Sequence, residues 1–280
     1  MPRALIGLVA LGALAGCGPA VAATVIDEPV EPPSLPPAGP ARPVVRLLPP
    51  EEPGAGGDED EFEPDGAAGS QPLGPDAPEA SRIGLLTPRL CFAALDQARL
   101  PYRGAEETDD VRDPIRLTGP VGGVTFHGRS RNPEASVYEV LDCRLAVALG
   151  GLAEILRPHG IVEVVHLSMH RPDHHGRPVE TGGSLGHRGG LAIDVAVLRR
   201  ADGSELTVAG DFGGLRGGPR CGPRAAPART ENARVLRDIV CRLMERRLFH
   251  VILTPAFDRA HHDHVHLEVR SDGVSWLYHH

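Results

Sequence analysis

Lysine is absent from the 280 residues, so every one of the 29 basic side chains is an arginine. Alanine, glycine and proline are abundant, so the missing lysine is read as a bias of composition and carries no function. Aromatic residues amount to only 4%, so a core has to be built mainly from Leu, Val, Ile and Ala. No basic stripe with interleaved aromatics occurs, which excludes nucleic acid as an expected partner. No Cys-x-x-Cys pair occurs, which argues against a zinc site made of thiolates. The apolar stretch from Ala4 to Leu14 falls short of the roughly twenty residues that a membrane-spanning helix needs. The formal charge is −8, and much of it lies in an early acidic stretch.

What is present at the N-terminus reads as export and spacing. Met1-Pro2-Arg3 is a short positive region before the apolar stretch, and Leu14-Ala15-Gly16-Cys17 looks like a bacterial lipobox, with Cys17 as the lipidated residue. An ordinary signal peptide cut after Ala20-Val21-Ala22 is the rival reading. Residues 1–22 are therefore assigned to the signal and 23–80 to a linker. Pro32-Pro33, Pro36-Pro37 and Pro49-Pro50 favour extended backbone, Asp58-Glu59-Asp60-Glu61 repels itself, and burial is too scarce to offset ordering entropy. Gly18 after the cysteine favours an outer-membrane anchor, if the host has an outer membrane, with the protein facing the periplasm. The remainder, 81–280, is long enough for one domain with a core.

Periodicity gives that domain an α+β reading, a small and largely antiparallel sheet flanked by helices. Helices are expected over Thr87–Leu100, with Leu90, Ala94, Leu95 and Ala98 inward, and over Pro133–Arg157. Thr230 caps a third helix running to about Leu248. Strands are expected at Val121–His127, Ile161–Met169, Leu191–Leu198, Glu205–Ala209, His250–Leu253 and His264–Val269, with Asp202-Gly203 as a hairpin turn. A loop rich in His, Pro and Gly spans Arg171–Gly186. Beyond Cys17 there are four cysteines. An even number in an exported domain suggests disulfides, and four cysteines allow three pairings. Cys91–Cys143 would join the first two helices and Cys221–Cys241 would pin a loop to the third; this pairing is favoured, and free thiols are the alternative.

Two stretches concentrate imidazoles and carboxylates: His187-Arg188-Gly189-Gly190-Leu191-Ala192-Ile193-Asp194 and His261-His262-Asp263-His264-Val265-His266. Asp194 shares a strand face with Ala192, opposite Leu191, Ile193 and Val195; His264 and His266 share another face, opposite Val265 and Leu267. Gly190 lets the chain turn so that His187 comes back over the strand. Two neutral imidazoles and one carboxylate, from His187, Asp194 and His266, would leave the fourth position of a zinc ion open, the layout of a catalytic site. With 14 histidines in the chain, chance clusters have to be weighed. His261 and His262 read as spare, His166, His170, His174 and His175 as loop or strand residues, and His279-His280 as tail.

These motifs resemble those of the LAS metallopeptidases, which include D-alanyl-D-alanine peptidases and hedgehog-like folds, and more narrowly the bacterial extensin-like C-terminal domain family. The pattern is S-x-H-x(6)-D followed later by H-x-H. His187, Gly190, Ala192 and Asp194 match the first part; Asp263, His264 and His266 match the second, over roughly residues 85–270. The family serine two before the first histidine is Leu185 here, with Ser184 one step earlier. The resemblance implies Zn2+ on His187, Asp194 and His266, with Asp263 as the acid–base residue and His264 and Arg171 as oxyanion stabilisers. It implies peptidoglycan peptides as substrate. The lipobox adds a lipid anchor in the envelope, and a monomer is expected. A wall-binding module on the same fold that does no chemistry is the competing reading. A His-rich zinc store is a third, and it would carry several ions per chain.

Overall fold

The computed structural model describes residues 76–279, apart from 107, 109, 173–185, 214–219, 224, 226 and 274–275. Cys17, the signal region and nearly all of the linker lie outside the described residues, as do His174, His175, His280 and most of the loop from Arg171. Among the described residues no helix is long and apolar enough to cross a membrane.

The fold is a mixed α+β arrangement. The first helix, α1 (Glu79–Gly84), opens two residues before position 81; Ala80 is fully buried and Glu79 pairs with Arg246. Helix α2 (Pro88–Gln97) starts where Thr87 accepts the Leu90 N–H and proline occupies the first turn. Cys91, Ala94 and Leu95 face inward. Leu90 and Ala98 do not, because the buried stripe runs through Cys91, which is pulled in by its disulfide to Cys143.

A three-stranded antiparallel sheet follows, formed by β1 (Tyr102–Gly104), β2 (Pro114–Leu117) and β4 (Leu141–Asp142). Periodicity predicts a helix over Pro133–Arg157 that takes in Leu141–Asp142. Instead, two short 3-10 turns, Pro133–Ala135 and Val137–Glu139, precede β4, and helix α3 runs only over Cys143–Leu156. Tertiary bonds override the periodicity. The Asp142 N–H donates to the Gly190 carbonyl and the Cys143 N–H to that of Asp113. The Asp142 carboxylate caps α3 through the Arg144 N–H and is gripped by the Arg144 guanidinium in a buried ion pair. From there α3 is buried along most of its length, including Leu145, Leu149, Leu152 and Leu156. Each such leucine contributes about 1.5–3 kcal/mol of burial. Gly160, at φ 73°, ends the segment after one more 3-10 turn.

The main sheet has seven strands, larger than the small sheet expected. Its members are β3 (Thr125–Gly128), β5 (Ile161–His166), β6 (Ala192–Arg200), β7 (Glu205–Thr207), β8 (Val251–Leu253), β9 (Val265–Glu268) and β10 (Leu277–His279). Their order is β10-β8-β9-β6-β5-β3, with β7 continuing beside β6 beyond the end of β9. The pairs β3/β5 and β8/β10 are parallel, and the other pairs are antiparallel. A short helix α4 (Val208–Asp211) leads away from β7, and Thr230 caps helix α5 (Glu231–Arg246) by accepting the Ala233 N–H. Helix α5 sends Val235, Ile239 and Leu243 into the core it shares with α3 and the sheet. The second disulfide joins Cys221 to Cys241 on α5. The two bridges suggest an extracellular or periplasmic domain, and a disulfide of this kind typically contributes about 2–4 kcal/mol.

Candidate metal centre

Strands β6 and β9 lie at the middle of the main sheet, and their antiparallel register sets Asp194 directly opposite His266 and Ala192 opposite Glu268. Directly paired residues point to the same face, so the Asp194 carboxylate and the His266 ring meet side by side, with small Ala192 leaving space next to them. β6 is buried on both faces at this end, Leu191 through Val195 all being inaccessible.

His187 comes from a turn just before β6. Gly190 closes that turn at φ 63°, and a Cβ there would lie 2.8 Å from the Asp142 nitrogen, so a side chain is excluded both by backbone angle and by the closeness of β4. The Gly190 N–H bonds the His187 carbonyl, the Arg171 N–H bonds the same carbonyl from the other side, and Arg188 pairs with Asp110 at 2.8 Å. The turn is thus held at three points and His187 is delivered over the strand.

The three side chains converge. Nε2 of His187 lies 3.0 Å from Oδ1 of Asp194, Nδ1 of His266 lies 3.0 Å from the same oxygen, and the two nitrogens are 3.2 Å apart. Three ligands at about 2.0 Å from a tetrahedral zinc ion stand roughly 3.3 Å from one another, so the triangle has the right size. The outer ring nitrogens agree with it. Nδ1–H of His187 donates to the Met169 carbonyl at 3.3 Å, and Nε2–H of His266 donates to Glu268 at 3.3 Å. With those outer protons in place, the inner nitrogens are the ones that would offer lone pairs to an ion, and both face an anionic oxygen. His187, Asp194 and His266 form a buried group of the kind that could hold a metal ion.

A family model for the extensin-like protein C-terminus matches residues 91–277. The chain belongs to that family. The matched span contains the His-His-Asp group and both disulfides of this extensin-like domain. No curated protein and no solved structure matches the chain.

Electrostatics in the extensin-like domain follow from the same contacts. Burial works against charge on Asp194, yet the hydrogen bonds with His187 and His266 outweigh it and hold the carboxyl well below the usual carboxylate range. Burial pushes the His187 imidazole below its ordinary value, against the pull of Asp194. Burial likewise opposes charge on His266, but Asp194 and Glu268 push its pKa up to about 9 when no ion is present. A metal therefore has to displace one proton from His266. Below about pH 9 the apparent affinity should fall roughly tenfold per pH unit as protons compete, so zinc should bind about a hundredfold more weakly at pH 6 than at pH 8, as read by competition with a chromophoric chelator whose own titration is known.

The other expected site residues surround the triangle at varying distances. His264 is bracketed, with Nδ1 2.9 Å from Asp263 Oδ1 and Nε2 3.4 Å from Asp194 Oδ1. Asp263 is part-exposed; burial raises its pKa, but the His264 hydrogen bond outweighs this and lowers it below the ordinary value. Its carboxylate reaches the triangle only by way of His264. The Arg171 guanidinium, half-exposed, bonds the outer oxygen of Asp194 at 3.0 Å. His261 pairs with Asp258 and stacks near His264, His262 lies at the exposed rim, and His166 is fully buried against Glu139. Leu185 and Ser184 lie outside the described residues.

Two residues near the centre were not singled out from the sequence. Glu268 continues the alternation of His264 and His266 on one strand face, is buried, and holds the outer proton of His266. That H-x-H-x-E spacing was visible but looks like any strand end. Ser168 places its hydroxyl 3.5 Å from both Asp194 Oδ2 and His187 Nδ1; nothing in the sequence marks it, because the link between β5 and β6 is made only in the fold. Glu268→Ala should weaken zinc binding about 10–100-fold, the usual cost of losing the partner of a ligand histidine, and the same chelator competition measures it.

Proposed function

We propose that this domain hydrolyses peptide bonds in peptidoglycan stem or cross-bridge peptides, as a carboxypeptidase or endopeptidase, with zinc held by His187, Asp194 and His266. The observation that carries the reading is the buried triangle of two imidazole nitrogens and one carboxylate oxygen with sides of 3.0, 3.0 and 3.2 Å. The motif likeness to LAS metallopeptidases with a hedgehog- or DD-peptidase-like fold supports it. Zinc supplies Lewis acidity there, polarising a carbonyl and lowering the pKa of water to about 7.

The chain's own residues do the remaining work. Glu268 keeps the outer proton of His266 in place, so that Nδ1 stays a ligand. Met169 does the same for His187 through its carbonyl. Asp263, an ionised carboxylate at neutral pH, takes a proton from the attacking water and returns it to the leaving amine. His264 and Arg171 supply N–H groups toward the oxyanion, Arg171 by releasing Asp194 as a substrate enters. A lipid at Cys17 and the 23–80 linker would hold the domain close to the wall; metabolic labelling with a tagged fatty acid tests that anchor.

One observation favours a second reading, a wall-binding module without turnover: Asp263 is turned to His264, 2.9 Å away, rather than toward the triangle. Digestion of purified muropeptides separates the two. The peptidase reading expects released D-residues or opened cross-links with zinc-loaded protein, loss of product with a chelator, and recovery on adding zinc. No product across both substrate types leaves the binding module.

A further inference from the structure

A cleft of about 320 Å³ opens where the small sheet meets β3. β3 is the last strand of the main sheet, so one of its edges has no strand neighbour among the described residues. Such an edge accepts an extended peptide through backbone hydrogen bonds. The cleft borders the metal centre: Met169 lines it, and the Met169 carbonyl is the one that fixes His187.

The cleft's charges are unusual. Arg103 and Arg116 stand directly opposite each other on β1 and β2, and both line the cleft. Like charges in that position destabilise a strand pair. Among the described residues Arg116 donates only to neutral acceptors, the carbonyls of Pro133 and Ser136. The Arg103 side chain is exposed and makes no ion pair or hydrogen bond with any described residue. Burial first, and then the charge of Arg103, pull the Arg116 pKa below its ordinary value, against the weaker opposing charges of Glu139 and Glu106. Of the carboxylates lining the cleft, Glu139 is tied to the Gly128 N–H and to His166, and Glu134 lies on the exposed rim. Neither guanidinium thus has a carboxylate at ion-pair distance among the described residues, and a guanidinium fork is matched to a carboxylate.

We propose that this cleft binds the extended peptide substrate and that Arg103 and Arg116 recognise a free carboxylate on it. The proposal rests on the peptidase reading and gives it a specificity.

Binding to metal-free protein tests this without turnover. The probes are a fluorescent pentapeptide of mixed L- and D-residues with one side-chain carboxylate, and the same peptide with that carboxylate amidated. The wild type should bind the acid form at least about tenfold more tightly, one good charge-assisted contact, and R103Q/R116Q should bind the two forms within about twofold. Because Arg116 also braces the Pro133–Ser136 turn, R103Q alone is the second variant; its side chain holds nothing in the fold, and it should lose at least about threefold of the preference. Equal binding of the two forms by wild type, or a preference that survives in R103Q and in the double variant, overturns the proposal. A protein that prefers the acid form but cleaves no muropeptide keeps the cleft and loses the peptidase reading; the reverse result loses only the cleft.

Discussion

His266→Ala should leave the domain without a tightly held ion. The His266 ring supplies one corner of the triangle, and no other described residue groups with His187 and Asp194 as a ligand: Glu268 bonds the far nitrogen of the ring, and His264 Nε2 stands 3.4 Å from Asp194 Oδ1. Four-ligand structural zinc sites are worth about 10–16 kcal/mol, so one ligand is worth on the order of 3 kcal/mol, a hundredfold or more in affinity. The loss is also electrostatic. Without the imidazole, the buried Asp194 keeps His187, His264 and Arg171 as its partners, a set that still includes the Arg171 ion pair. Zinc per chain, measured after dialysis against a weak chelator, should drop from near one to near zero. The disulfides and the α3 core do not involve this residue, so the thermal transition should survive; its presence separates loss of a ligand from loss of the fold.

Asp263→Ala should have the opposite profile, with zinc retained and turnover lost. Asp263 touches His264 and no atom of the triangle, so the ion's affinity should change by less than the 10–100-fold expected for Glu268→Ala. A general base contributes about 10²–10⁴ in rate, and that is the predicted fall in kcat on a muropeptide substrate. Asp263→Asn sharpens the comparison, because an amide still accepts the His264 N–H but cannot take a proton. If Asp263 only orients His264, the asparagine variant should work nearly as well as wild type; if it is the base, it should be as slow as the alanine variant.

The candidate centre was legible because its geometry is mostly local. Residues two apart on a strand share a face, so Asp194 with Ala192, and His264 with His266, could be grouped before any fold was known. Gly190 marked the turn that returns His187. What the sequence could not show was the register that sets Asp194 opposite His266, since that pairing joins strands 72 residues apart. Glu268 was overlooked for the same reason: a glutamate at a strand end looks solvated until its partner's burial is known. The helix expected from Pro133 was cut back to Cys143 by bonds from Gly190 and Asp113, neither of them near in sequence. The three-stranded sheet was invisible because strands of two to four residues carry almost no periodicity.

The central claim is that His187, Asp194 and His266 share one divalent ion. Zinc X-ray absorption on the purified protein, with metal content measured on the same sample, addresses it most directly. The account predicts one zinc per chain, coordinated by two imidazoles and oxygen at about 2.0 Å, with that signal absent from His266→Ala. Sulfur at about 2.3 Å, several ions spread over the histidines, or a chain that takes up no zinc at neutral pH would contradict it.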